Sequence, residues 1–237
     1  MKVTLKDGSV KEYSEPMSVN DIAFDIAGGL GRAACAGEVD GEVVDLRTTI
    51  DKDCTLNILT FKDEAGKAAY RHTASHVMAE AVKNLFPEAK LAIGPSIDTG
   101  FYYDFEHEPF SREDLDKLEG EMKKIIKKGE KLERFTLPRQ EAIAFMEEKG
   151  EPYKVELIRD LPREDAIKYM EDRNEPYKVE LIKDLPEGST ISFYSQGEFV
   201  DLCAGPHLMN TKSIKAFKII SSSMAYWRGD SSKARLQ

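Results

Sequence analysis

Three features of this chain predict an α+β fold, with a small β-grasp unit leading a larger mixed domain. A hairpin, a helix and further strands follow one another over residues 1–62. A long helix with one apolar face covers about residues 66–86. An aromatic strand and further capped helices come after it.

In the first unit, Val3-Thr4-Leu5 and the stretch ending at Tyr13 flank Lys6-Asp7-Gly8, a hairpin turn signal. Ser18 then opens a pattern with Ile22, Ala23, Ile26 and Ala27 at helical spacing. Ser18 and Asp21 stand in a capping-box relation, and Gly28-Gly29 is expected to end the helix. Val39-Asp40-Gly41-Glu42 is a second hairpin signal, and the apolar run Cys54–Leu59 closes the unit.

The helix over 66–86 should bury Val77, Met78, Ala81, Val82, Leu85 and Phe86, with Pro87 just beyond its end. Ile97 to Phe105 reads as a turn into an aromatic strand. Ser111 caps the next helix, whose apolar face is Leu115, Leu118, Met122, Ile125 and Ile126, with Gly129 as its stop. Acids at its start and lysines at its end match the helix dipole, so this charge run reads as a solvated face. An internal repeat follows. Residues 137–160 and 161–184 align over 24 positions with 16 identities, including Glu-Pro-Tyr-Lys-Val-Glu-Leu-Ile in both copies. Each copy is expected to form a helix and then a strand, and two copies are too few for a solenoid.

Composition bounds the function. With 41% hydrophobic and 32% charged residues, 237 residues suit one or two soluble domains. The net charge of −9 argues against indiscriminate coating of nucleic acid. Residues 208–237 nonetheless carry six basic side chains against Asp230 alone, beside Tyr226 and the single tryptophan, Trp227. Such a stretch suits a phosphate backbone and a stacked base, or an ordinary solvated surface. No run approaches the roughly 18 apolar residues of a membrane span, and the start is not a signal peptide. Three cysteines are sparse and odd in number, so a reducing, cytoplasmic setting is expected, with Cys35 and Cys54 as small core residues.

Chemistry concentrates in two segments. Three of the four histidines lie in His72-Thr73-Ala74-Ser75-His76 and in Asp201-Leu202-Cys203-Ala204-Gly205-Pro206-His207. Residues four apart on a helix lie about 40° apart around its axis, so His72 and His76 project side by side. Cys203 and His207 share that spacing, but Gly205-Pro206 between them argues for a turn. Three imidazoles and a thiol suit Zn²⁺ or a polar hydrolytic pocket. A metalloprotease is disfavoured, because Thr73 stands where an HExxH helix needs its glutamate base.

Four separated stretches in order carry a family resemblance: Arg71–His76, Ala92–Pro95 through Gly100–Asp104, Asp201–His207, and Ala225–Asp230. Together they resemble the amino-terminal half of threonyl-tRNA synthetases. The resemblance implies a TGS domain over 1–62, an editing domain with a mainly antiparallel sheet over 63–227 that contains the duplication at 137–184, and at 228–237 the start of a linker to an aminoacylation domain. It implies hydrolysis of serine wrongly esterified to the 3′ end of tRNA-Thr. The implied catalytic residues are His72, His76, Lys178, Asp201, Cys203 and His207, and the implied substrate-binding residues are Tyr103, Trp227 and Arg228. Both Lys154 and Lys178 match the family's lysine; Lys178 is chosen because its copy joins directly to the segment bearing Asp201 and Cys203. No cofactor is required for such editing, although zinc on His72, His76, Cys203 and His207 is an open option. ATP use belongs to the aminoacylation domain, as does a homodimer interface. The alternatives are a tRNA-binding or regulatory module that is inactive alone, and a freestanding trans-editing protein.

Overall fold

The computed structural model describes residues 1–159 and 190–237, apart from the side chains of Arg139, Arg159, Thr190 and Arg228. Its first unit is a five-stranded sheet with one helical layer. Strand β1 (Lys2–Leu5) pairs antiparallel with β2 (Val10–Glu12) across the expected turn, where Gly8 takes φ +83°. A short β3 (Met17–Ser18) leads into α1 (Val19–Ile26), and the Ser18 side chain accepts the Asp21 N–H as the capping pattern requires. The glycines do not simply stop the chain's helical course. Ala27 is extended, and Gly28 begins a second short helix, α2 (Gly28–Ala33). Gly31 is needed there because a Cβ would run into the Phe24 ring.

Strands β4 (Ala34–Val39) and β5 (Glu42–Val44) form the second hairpin, with Asp40 and Gly41 both at positive φ. After β6 (Thr49–Ile50), which pairs with β3, comes β7 (Cys54–Thr60). The order β2-β1-β7-β4-β5, with β1 parallel to β7, is the β-grasp arrangement. Val3, Val19, Ile22, Leu46, Ile50 and Leu56 fill its core. Cys35 and Cys54 are buried free thiols.

Helix α3 (Glu64–Leu85) runs between the two units. Val77, Ala81 and Val82 are fully buried, whereas Leu85 near its end is 36% exposed. The expected aromatic strand is broken into short pairs: β8 (Lys90–Leu91) with β11 (Phe105–Glu106), and β9 (Ser96–Ile97) with β10 (Gly100–Phe101). Helix α4 (Arg112–Lys128) has the Ser111–Asp114 capping box, and Gly129 follows it in the left-handed region. Leu118, Met122 and Ile125 pack into one core with α3 residues and with Cys35, Ala36 and Leu59 of the first unit, so that unit shares buried surface with the elements that follow it.

Strand β12 (Leu132–Pro138) precedes α5 (Arg139–Glu148) and α6 (Pro152–Arg159). The strand expected after the first repeat's helix is therefore corrected to a helix. Pro152 suits the first turn, where its missing N–H is not needed, and the Lys154 and Val155 N–H groups both reach the Glu151 carbonyl. The second copy lies outside the described residues. Strands β13 (Thr190–Gln196) and β14 (Phe199–Leu202) complete an antiparallel sheet in the order β12-β13-β14. One sheet face, with Phe135, Phe193 and Leu202, packs on α5 and α6 through Ala142, Met146, Val155 and Ile158. At the carboxyl end, β15 (Ala225–Tyr226) pairs with β16 (Arg235–Leu236).

Candidate active site

The other face of that sheet meets helix α3, and matched repeats set the site. Four residues of helix rise about 6 Å and two of strand about 6.6 Å, so side chains at these spacings can keep step. His72, His76 and Glu80 on α3 thus meet Asp201 and Gln196 from the sheet and Cys203 just past the end of β14. His72 Nε2 lies 3.3 Å from Cys203 Sγ. His76 Nε2 is 3.5 Å from Asp201 Oδ2. Glu80 Oε2 accepts from Gln196 Nε2 at 2.6 Å. His207 closes the group, with its Nε2 3.1 Å from the same sulfur. The ligand-capable atoms of His72, His76, Cys203 and His207 all lie within 4.8 Å of one another.

The turn that returns His207 depends on Gly205. Its φ is +79°, and a Cβ there would run into the Tyr194 hydroxyl. The Gly205 N–H donates to Cys203 Sγ at 3.2 Å, and the Gly205-Pro206 peptide is cis.

Hydrogen-bond inventory fixes how His207 is held. Thr73 Oγ1 gives its one proton to the Ala69 carbonyl at 2.9 Å. It therefore accepts from the Leu208 N–H at 2.9 Å and from His207 Nδ1 at 3.1 Å. His207 must carry its proton on Nδ1, which leaves the Nε2 lone pair facing Cys203. Burial first, and then the neighbouring His76 and His72, push the His207 pKa well below the ordinary value. Burial likewise lowers His72, and it lowers His76 to about 3 against the opposing pull of Asp201. Burial also raises the Cys203 thiol to about 12. The group is neutral as it stands: three imidazoles and a thiol.

Beside it lies a buried charge pair. Lys154 Nζ, from α6, is 2.7 Å from Asp201 Oδ1, with the two side chains 4% and 2% exposed. Lys154 also donates to the Tyr103 hydroxyl at 2.9 Å, which in turn donates to Asp201 Oδ2 at 2.7 Å. Burial works against the Asp201 carboxylate, but Lys154, His76 and these hydrogen bonds outweigh it and hold the pKa below the usual value. Tyr103 is in addition packed against Gly94, whose carbonyl Ser75 anchors at 2.8 Å. A groove of about 490 Å³ meets this group at Tyr103 and is lined besides by Tyr70, Arg71, Phe101 and Lys218 among others.

Of the residues expected from sequence, the structure brings together His72, His76, Tyr103, Asp201, Cys203 and His207. Lys178 lies outside the described residues. Among the described residues, the lysine that stands against Asp201 is Lys154, the matching position of the first copy. Trp227 is not part of the group; it is 3% exposed, packs against Tyr153 and Leu236, and donates to Glu156 at 2.9 Å. The Arg228 side chain lies outside the described residues. Sequence reasoning missed the supporting roles of Thr73, Tyr194, Asp45 and Arg47. Only Thr73 offered a signal, as a buried-face hydroxyl between two candidate histidines.

The donor set fits a soft-to-borderline divalent ion such as zinc, because a thiolate and three imidazoles can converge on one point. Four protein ligands would complete a tetrahedral shell and leave no open position for water.

Residues 1–60 match the TGS domain, and residues 191–237 match the threonyl and alanyl tRNA synthetase second additional domain. The whole chain is 59% identical over 238 aligned residues to a threonine–tRNA ligase of Acetivibrio thermocellus, and 53% identical to one of Clostridium botulinum strain Hall. Each alignment covers 100% of this chain and 34% of the relative. The chain is thus similar along its whole length to the amino-terminal portion of these threonine–tRNA ligases and spans about a third of their length.

Proposed function

We propose that this chain hydrolyses the ester that joins serine to the 3′ end of tRNA-Thr. The observation that carries the reading is the ionised Asp201, held by buried Lys154 and Tyr103, beside neutral imidazoles that can take a proton. The need for such an activity is physical. Serine lacks only threonine's methyl group, and a missing methylene is worth only about 1–3 kcal/mol to a binding site. A second, smaller pocket supplies the remaining discrimination.

In this reading Asp201 receives the substrate's α-ammonium, and Tyr103 walls the pocket against the extra methyl. A neutral imidazole at His72, His76 or His207 accepts a proton as water attacks the ester carbonyl. The carbon–oxygen bond to the ribose then breaks, and the proton passes to the leaving ribose oxygen. The Arg71 and Lys218 side of the groove, with its aromatic walls, takes the terminal nucleotide. Zinc bound by His72, His76, Cys203 and His207 would supply a cross-link between α3 and the 203–207 turn. The lysine of the reading is Lys154, which among the described residues is the one in contact with Asp201, whereas Lys178 lies outside them.

The test is deacylation by this chain of Ser-tRNA-Thr and Thr-tRNA-Thr side by side. Rapid loss of serine with threonine retained is the expected result. Binding of both tRNAs with no turnover of either ester would replace the enzyme by a binding module.

A further inference from the structure

The first domain reaches into this site. The loop after β5 carries Asp45 and Arg47, with side chains 11% and 17% exposed, more than 150 residues from the turn they contact. Asp45 Oδ2 accepts from the His207 N–H at 3.0 Å and from the Tyr194 hydroxyl at 2.9 Å. Asp45 Oδ1 accepts from the Arg47 N–H at 2.8 Å and from Arg47 Nη1 at 2.9 Å. The guanidinium then donates to the carbonyls of His207 at 3.3 Å and Leu208 at 2.9 Å, and through Nε to the Leu132 carbonyl at 2.9 Å. The Leu208 N–H is the one backbone group of this pair taken by the second domain, through Thr73. Tyr194, held by Asp45, lies with its ring 4.5 Å from the His207 imidazole.

The loop therefore grips His207 by both its N–H and its carbonyl, and fixes the aromatic ring on its flank. Both Asp45 oxygens face only donors. This is the arrangement of a positioning element, in which one layer of groups sets the angle of another. We propose that Asp45 and Arg47 of the β-grasp domain are positioning residues for His207, so that the first domain sets the geometry of the second domain's cleft. The inference rests on the hydrolytic reading for its kinetic consequence, and on geometry alone for its structural one.

Asp45→Asn tests it in the intact chain. The substitution keeps shape but must aim an amide N–H at the Arg47 donors or at the His207 and Tyr194 donors. Two readouts are taken on protein whose melting curve shows it folded at the assay temperature. In nitrogen-15 NMR, the His207 backbone N–H, which donates to Asp45 Oδ2 in the parent, exchanges about tenfold faster, as its buried hydrogen-bond partner is weakened. In deacylation of Ser-tRNA-Thr, kcat falls about tenfold with KM moved less than about twofold. Arg47→Lys, which keeps one cationic donor for the carbonyls, recovers most of the parent kcat, whereas Arg47→Met does not. Unchanged His207 exchange and unchanged kcat in Asp45→Asn would overturn the proposal. So would a kcat loss that only tracks the unfolded fraction. If the parent chain hydrolyses neither ester, the hydrolytic reading fails, and the NMR arm alone decides the positioning role.

Discussion

Lys154→Met is the perturbation with the largest consequence. It keeps the length of the side chain and removes its charge, leaving the 2% exposed Asp201 carboxyl with no lysine or arginine in contact among the described residues. At the observed 2.7 Å, and with an effective dielectric constant near 20, the lost attraction is about 6 kcal/mol before desolvation is counted. Breaking a buried pair from one side destabilises by about 3–5 kcal/mol, because the remaining charge is uncompensated. For a domain of this size that corresponds to a fall in melting temperature of roughly 6–20 °C. Serine-ester hydrolysis should drop by about two orders of magnitude or more, since the carboxylate is no longer held ionised and oriented. Adding Asp201→Asn removes the orphaned charge, so the double variant regains most of the stability and none of the activity. Calorimetry and single-turnover deacylation, run on both singles, the double and Lys178→Met, separate the two effects. Parent-like stability and turnover in Lys154→Met, together with loss of turnover in Lys178→Met, would refute the assignment and return the role to the second copy.

Three further outcomes follow from the same geometry. Gly205→Ala forces a Cβ into the Tyr194 hydroxyl at positive φ, and urea titration should show a loss of about 1–3 kcal/mol. Burial raises the Glu80 carboxyl to about 7, above its unfolded value of 4.5. The folded state therefore keeps a proton that the unfolded chain has shed, and this contribution to stability is full below about 4.5 and is lost as pH rises through about 7. Glu80→Gln should flatten that slope and raise the melting temperature at pH 8; an unchanged profile would remove Glu80 from the account. Dialysis against a chelator should leave serine-ester hydrolysis intact, because the proposed proton acceptors are the chain's own imidazoles. Activity lost on dialysis and restored by zinc would make the metal a participant.

Much of the site was legible because its residues are rare and periodically placed. His72 and His76 announce themselves by helical spacing, and Cys203 and His207 by a turn signal between two uncommon ligands. The caps at Ser18 and Ser111 were equally plain, since each needs only a local partner three residues on. That Lys154 stands against Asp201 was not legible, because both copies share Glu-Pro-Tyr-Lys-Val-Glu-Leu-Ile and the contact is a matter of tertiary placement. The same octapeptide was misread as a strand, its β-branched Val and Ile outweighing the proline and glutamate that start a helix. Asp45 and Arg47 were invisible for a different reason. They are common surface residue types, and nothing local shows that the turn they occupy lies against His207. Trp227, expected at a nucleic-acid surface, is buried against Tyr153. A large indole with one polar handle can serve a core as readily as an interface.

The register of the larger sheet explains where extra sequence can be accommodated. Pro138 sits opposite Thr190, so everything from 139 to 189 is inserted between the adjoining ends of two neighbouring strands. Lengthening such an excursion adds only about 0.6 kcal/mol of closure entropy per doubling. A 24-residue copy arising there leaves the pairing of β12 with β13 untouched. The stepwise match of His72, His76 and Glu80 with Cys203, Asp201 and Gln196 has no such tolerance, since one residue added between His72 and Glu80, or between Asp201 and Cys203, would break the pairing. Growth and conservation of form are thus assigned to different stretches of the same domain.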